Sequence, residues 1–152
     1  MIPLLFRRYL LGLVVLSLCW TSCGKHLIVI EEVSDIPISD CALFSQTEHI
    51  VNDSAAYAAL LLEMWQTPEC ENISTLPPID FGEKTVLGKL TSVQNACSVS
   101  YQHAVFADSD AKQYIYRITA LPEGDCPSNH SSMNWISIPK LPADYSVVYE
   151  VE

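Results

Sequence analysis

The sequence predicts an α+β domain in which one amphipathic helix packs on a twisted, mainly antiparallel sheet of five or six strands. Three observations carry that reading: one segment with helical apolar spacing between Asn52 and Trp65, a strand-like run before it with five more after it, and turn residues between them. Of the 152 residues, 49% are hydrophobic, which suits a packed core rather than a disordered tail. The length fits one domain and not two.

The first run, His26 to Val33 (His-Leu-Ile-Val-Ile-Glu-Glu-Val), reads as a strand because it is rich in β-branched residues. Ser34 to Asp40 breaks it, with Pro37 inside. Leu43 to Val51 fits a second short strand or a loop. Asn52-Asp53-Ser54 then offers side-chain oxygens to cap a helix. Tyr57, Leu60, Leu61, Met64 and Trp65 follow at i, i+3, i+4, i+7 and i+8, a stripe on one helix face that normally buries. Thr67-Pro68 ends the helix, and Cys70 to Pro78 is a loop. Thr85 to Val93 is a strand. Ser98 to Ala107 alternates, with Val99, Tyr101, His103 and Val105 on one face. The turn Asp108 to Ala111 joins it to Gln113–Leu121, the strongest hairpin signal in the chain. Pro122 to Met133 is a polar loop. Asn134–Ile138 and Tyr145–Val151 are the last strands, joined by the stiff Pro139-Lys140-Leu141-Pro142.

The N-terminus reads as an address. Met1 to Tyr9 carries Arg7 and Arg8 and no acid, and Leu10 to Leu18 is apolar and uncharged. This is the layout of an export signal, too short to span a bilayer, which needs about 20 apolar residues. Trp20-Thr21-Ser22-Cys23-Gly24-Lys25 resembles the end of the lipoprotein signals of Bacteroidetes-type bacteria. That resemblance implies acylation of Cys23 and cleavage before it, with small Ser22 at the position that processing needs. Trp20 replaces the leucine usual in the pattern, and Cys19 competes less well because bulky Leu18 precedes it. The expected organisation is a leader over 1–22, a lipidated tether over 23–26 and one globular domain over 27–152. The expected location is the cell envelope, lipid-anchored at the outer membrane. Eight basic residues, two of which leave with the leader, face 18 acidic ones. Such a surface repels phosphates, so nucleic-acid binding is disfavoured.

Cys41, Cys70, Cys97 and Cys126 remain after export. In an oxidising compartment four cysteines suggest two disulfides with three possible connectivities. Cys41–Cys70 and Cys97–Cys126 are favoured, since the first pair flanks the helix and the second the hairpin. Spacings of 29, 27 and 29 residues lack the close Cys pairs of a zinc site.

No phosphate loop, zinc-protease helix, nucleophile elbow or Cys–His pair is present. His26, His49, His103 and His130 are isolated in sequence. His103, on an alternating strand, reads as a packed or rim residue before it reads as a ligand. Asp80 at a strand entry reads as a turn aspartate, and Glu83 is its only local partner for acid–base work. A dispersed hydrolytic site requires Asp80, Glu83 and His103 to converge. Asp108 and Asp110 fall short of the six or more oxygens a calcium ion takes. Asn52-Asp53-Ser54, Asn72-Ile73-Ser74 and Asn129-His130-Ser131 match the glycosylation sequon, which favours a eukaryotic secreted protein if the lipoprotein signal is absent and is incidental if it is present. No catalytic residue, metal or cofactor is expected.

Ile79-Asp80-Phe81, the strand from Thr85, the aromatic hairpin and Asn134-Trp135-Ile136-Ser137-Ile138-Pro139-Lys140-Leu141-Pro142 together look like small Bacteroidetes lipoproteins. More distantly, Leu76 to Glu152 is similar to the C-terminal domain of the protease-complex subunit PrcB. A Gly-Gly-Tyr-like signature of that domain is replaced here by Asn95-Ala96-Cys97-Ser98-Val99-Ser100-Tyr101. The resemblance implies a non-catalytic accessory module that binds another envelope protein, with the membrane as its second partner through the lipid. Trp135, Lys140 and Leu141 are the candidates for the interaction surface, with core packing the competing reading for Trp135. The alternative is a small-ligand-binding lipoprotein, which needs a cavity within the sheet or beneath the helix.

Overall fold

In a computed structural model of the chain, residues 27–38, 46–70 and 75–152 are described. Their elements are β1 (Leu27–Val29), β2 (Ser34–Asp35), β3 (Glu48–Val51), α1 (Ser54–Met64), β4 (Lys84–Gln94), β5 (Ser98–Asp108), β6 (Gln113–Glu123), β7 (Asn129–Pro139) and β8 (Ser146–Val151). The class is α+β, dominated by strand. The expected single sheet of five or six strands is instead two sheets of four, ordered β1-β5-β6-β8 and β2-β7-β4-β3. All pairings are antiparallel except β6 with β8.

The sheets pack face to face. Leu87, Ile136 and Ile138 from the second sheet meet Val105, Tyr114, Tyr116 and Ile118 from the first. The second sheet is also covered on its other face, where Val86, Met133 and Trp135 meet Tyr57, Leu60 and Met64 of α1. β4 and β7 are therefore the middle layer of three, buried on both faces, which is why Thr85–Gly88 and Met133–Ile138 are buried without alternation.

α1 forms where its cap and stripe predict. Asp53 is extended (φ −149°), and its Oδ1 accepts the Ala56 N–H at 2.7 Å. Tyr57, Leu60 and Met64 are buried, Leu61 is half-buried, and Trp65 turns half out to solvent. The hairpin of β5 and β6 also forms as predicted, with Asp108 Oδ1 accepting the Ala111 N–H at 2.9 Å and Lys112 taking positive φ. Three boundaries differ. The run from His26 pairs only over Leu27–Val29, because the chain leaves at Ile30 to cross to the second sheet as β2. Of Leu43–Val51, only Glu48–Val51 is strand among described residues. The loop expected over Pro122–Met133 shrinks, since polar Asn129–Ser132 pair in register with Thr91–Gln94 of β4. Cross-strand pairing overrides weak β propensity there.

Cys97 and Cys126 are bonded, as expected. They sit in the two connections that cross between sheets, β4 to β5 and β6 to β7, and staple one end of the sandwich. Gly124 has φ +72°, and a Cβ on it would lie 2.5 Å from Cys97 Sγ. Cys70 is buried and disulfide-bonded; its expected partner Cys41, like Cys23, the leader and the Asn72 sequon, lies outside the described residues.

Candidate functional site

A cleft of about 460 Å³ opens on the side where the chain passes from β1 to β2, lined by Val33, Asp35, Tyr101, Gln102 and His103. β5 alternation points Tyr101 and His103 toward the second sheet, and β2 delivers Asp35 to its edge. His103 Nδ1 faces Asp35 Oδ1 at 2.6 Å and Nε2 faces Asn134 Oδ1 at 3.0 Å. The Asn134 amide is fixed by its donor side, because Nδ2 donates to Thr91 Oγ1 at 2.9 Å and to the Ser132 carbonyl at 3.2 Å. Both ring nitrogens therefore meet oxygens that accept, and both bonds form together only when both nitrogens carry protons. The His103 side chain is 13% exposed and that of Asp35 77%. The ring also stands edge-on to Tyr116, 5.8 Å between centroids, whose hydroxyl donates to the Asn134 carbonyl. Tyr101 Oη is buried beside the cleft with no hydrogen-bond partner among the described residues.

His103 is thus a rim residue that ties the sheets together. Both ring nitrogens lie within hydrogen-bond distance of protein oxygens, Asp35 Oδ1 and Asn134 Oδ1. Asp35 and Asn134 are the partners that sequence reading missed. They stand 68 and 31 residues away along the chain, and no local pattern links them.

The other candidates lie elsewhere. Asp80 Oδ1 accepts the Gly82 N–H at 2.8 Å within its own turn, the structural role expected. The turn ends at Lys84, opposite Pro139. Pro139 is five residues along β7 from Asn134, on the order of 17 Å, so Asp80 and Glu83 do not converge with His103. Asp108 serves its turn. His49 is buried against Trp135, 5.1 Å between ring centroids, and burial pushes its pKa below the ordinary value. His130 Nε2 meets the Ala96 carbonyl at 2.9 Å. Among the described residues no group of three or more His, Cys, Asp or Glu is placed to hold a metal ion.

Of the three expected surface residues, Trp135 is 2% exposed and lies in the core beneath α1. Its competing reading is the observed one, because its odd position on β7 faces the helix. Leu141 packs against the inner core, and its N–H donates to Thr85 Oγ1. Lys140 is exposed, but its Nζ is engaged by the carbonyls of Asn52 (2.6 Å) and Phe81 (2.8 Å). It clamps two loops. A second, apolar groove of about 280 Å³ runs between α1 and Thr75–Phe81. Asn52, in a sequon, accepts from Thr85 Oγ1. Among the described residues no helix is long and apolar enough to cross a membrane. Compared with family models, curated proteins and solved structures, the chain matches none.

Proposed function

We propose that the chain is a lipid-tethered accessory domain of the bacterial cell envelope, anchored at the outer membrane through Cys23, that binds another envelope protein without chemistry of its own. The observation that supports the binding half is the polar cleft lined by Val33, Asp35, Tyr101, Gln102 and His103, whose imidazole has both ring nitrogens against protein oxygens, Asp35 Oδ1 and Asn134 Oδ1. An oxidised Cys97–Cys126 pair agrees with export. The resemblance of Leu76–Glu152 to an accessory subunit points the same way. The rival small-ligand reading needs a cavity within the sheet or beneath the helix; the space between the sheets is filled by Leu87, Val105, Tyr116, Ile118, Ile136 and Ile138, and the apolar groove between α1 and Thr75–Phe81 is where that reading would place its ligand.

Two measurements test the reading. Metabolic labelling with a fatty-acid analogue marks the wild-type chain and not Cys23→Ala; equal labelling of both removes the anchor. Affinity purification of the tagged full-length protein from its own membranes yields a stoichiometric protein; recovery of the chain alone removes the accessory role.

A further inference from the structure

β5 has an edge that its neighbours leave open. It runs for 11 residues, and β6 pairs with every one of them. On the other side β1 covers only Phe106 to Asp108, and Ile30 N–H donates one more bond to the Val105 carbonyl at 2.9 Å before the chain departs. That bond fixes which backbone groups face outward. Val105 presents its carbonyl to β1, so by the two-residue period His103, Tyr101 and Val99 turn their N–H and C=O groups to the same side. Among the described residues no strand pairs with this side of Ser98–Ala104.

Sheet edges are normally guarded by shortness, charge, proline or a bulge. β2 and β3 are two and four residues long, and β8 carries Glu150. Ser98-Val99-Ser100-Tyr101-Gln102-His103-Ala104 has no Pro, Lys, Arg, Asp or Glu. The same stretch borders the cleft, where the Asp35 carboxylate is 77% exposed and Tyr101 Oη has no hydrogen-bond partner among the described residues. Exposed Glu31 and Glu32 precede it, and the chain as a whole is acidic.

We infer that the outer edge of β5, from Val99 to His103, docks an extended segment of a partner protein, which adds as a strand in line with β1 and turns a Lys or Arg into the cleft toward Asp35. This rests on the accessory reading for the partner's existence and names the surface and chemistry it uses. Main-chain bonds to three residues supply affinity, and the acidic cleft supplies selectivity.

The test uses the full-length lipidated protein in mild detergent and a displayed library of random nine-residue peptides. Selection enriches alternating, β-prone peptides with a basic residue. A bound peptide slows amide exchange at Val99, Tyr101 and His103 and leaves the β8 edge unchanged. Val99→Pro removes one outward N–H without touching the β6 ladder, as edge positions allow, and weakens binding at least tenfold. Asp35→Asn weakens basic peptides severalfold and leaves their Lys→Ala versions unaffected. No enrichment, or binders that protect other amides, overturns the proposal; the exchange readout decides even if Val99→Pro fails to fold. A membrane partner retained by folded Val99→Pro overturns the edge and leaves the accessory reading standing. Library binders at the edge with no membrane partner do the reverse.

Discussion

Gly88 and Trp135 face each other across β4 and β7, and the indole occupies the space in which a Cβ on Gly88 would sit, 2.3 Å from its Cζ3. A glycine inside a strand marks close approach of this kind. Here the bare backbone lets the largest side chain of β7 lie flat beneath α1.

Gly88→Ala is therefore expected to overpack the middle layer and cost about 1–3 kcal/mol. Thermal unfolding followed by tryptophan fluorescence checks it. An unchanged Tm means the indole has room to move and the close fit is not needed.

The His103 pair is expected to respond unequally. His103→Ala strips the partner from Asn134 Oδ1 and leaves that buried acceptor unmet, a loss of about 1–3 kcal/mol. Asp35→Ala removes a mostly exposed partner and costs under about 1 kcal/mol. Denaturant melts of both variants give the ranking, and equal losses contradict it.

Cys97–Cys126 closes a loop of 29 residues between two sheet-crossing connections. Replacing both cysteines by serine is expected to lower stability by about 3–4 kcal/mol, as loop-closure entropy predicts. Gly124→Ala should also destabilise, through its positive φ and its contact with Cys97. Calorimetry of the two variants measures each.

Stability should depend on pH at both extremes. Burial holds the His49 pKa below its ordinary 6.5, so the unfolded chain binds the proton first. Stability is full above about pH 6.5 and falls as pH drops from there toward the folded value; His49→Gln should flatten that limb. Burial pushes the Tyr57 phenol up to about 12 and raises Tyr116 and Tyr149 as well. Stability should then be lost as pH climbs above 10, where the unfolded phenols ionise. Melts between pH 5 and 11 test both limbs.

Legibility followed locality. Asp53 and the 57/60/64 spacing act within one helix, so cap and buried face were readable before any fold was known. Asp108 and the β5–β6 alternation are equally local, and the Cys97–Cys126 pairing followed from the hairpin it brackets. The division into two sheets was not readable, because alternation tells which residues share a face and not which sheet a strand joins. β7 departed from expectation at its polar start, which β4 holds as strand; Trp135, a surface candidate with core packing as its competing reading, is core because both faces of β7 are covered. Asp35 and Asn134 reach His103 only through tertiary folding, and the open β5 edge appears only once β1 is seen to leave at Ile30.

The most direct test of the account is native mass spectrometry of the full-length protein, purified from its own membranes in mild detergent. The account predicts a chain beginning at Cys23, carrying acyl mass and bound one-to-one to a second protein. A chain without acyl mass, recovered alone at every detergent concentration tried, contradicts it.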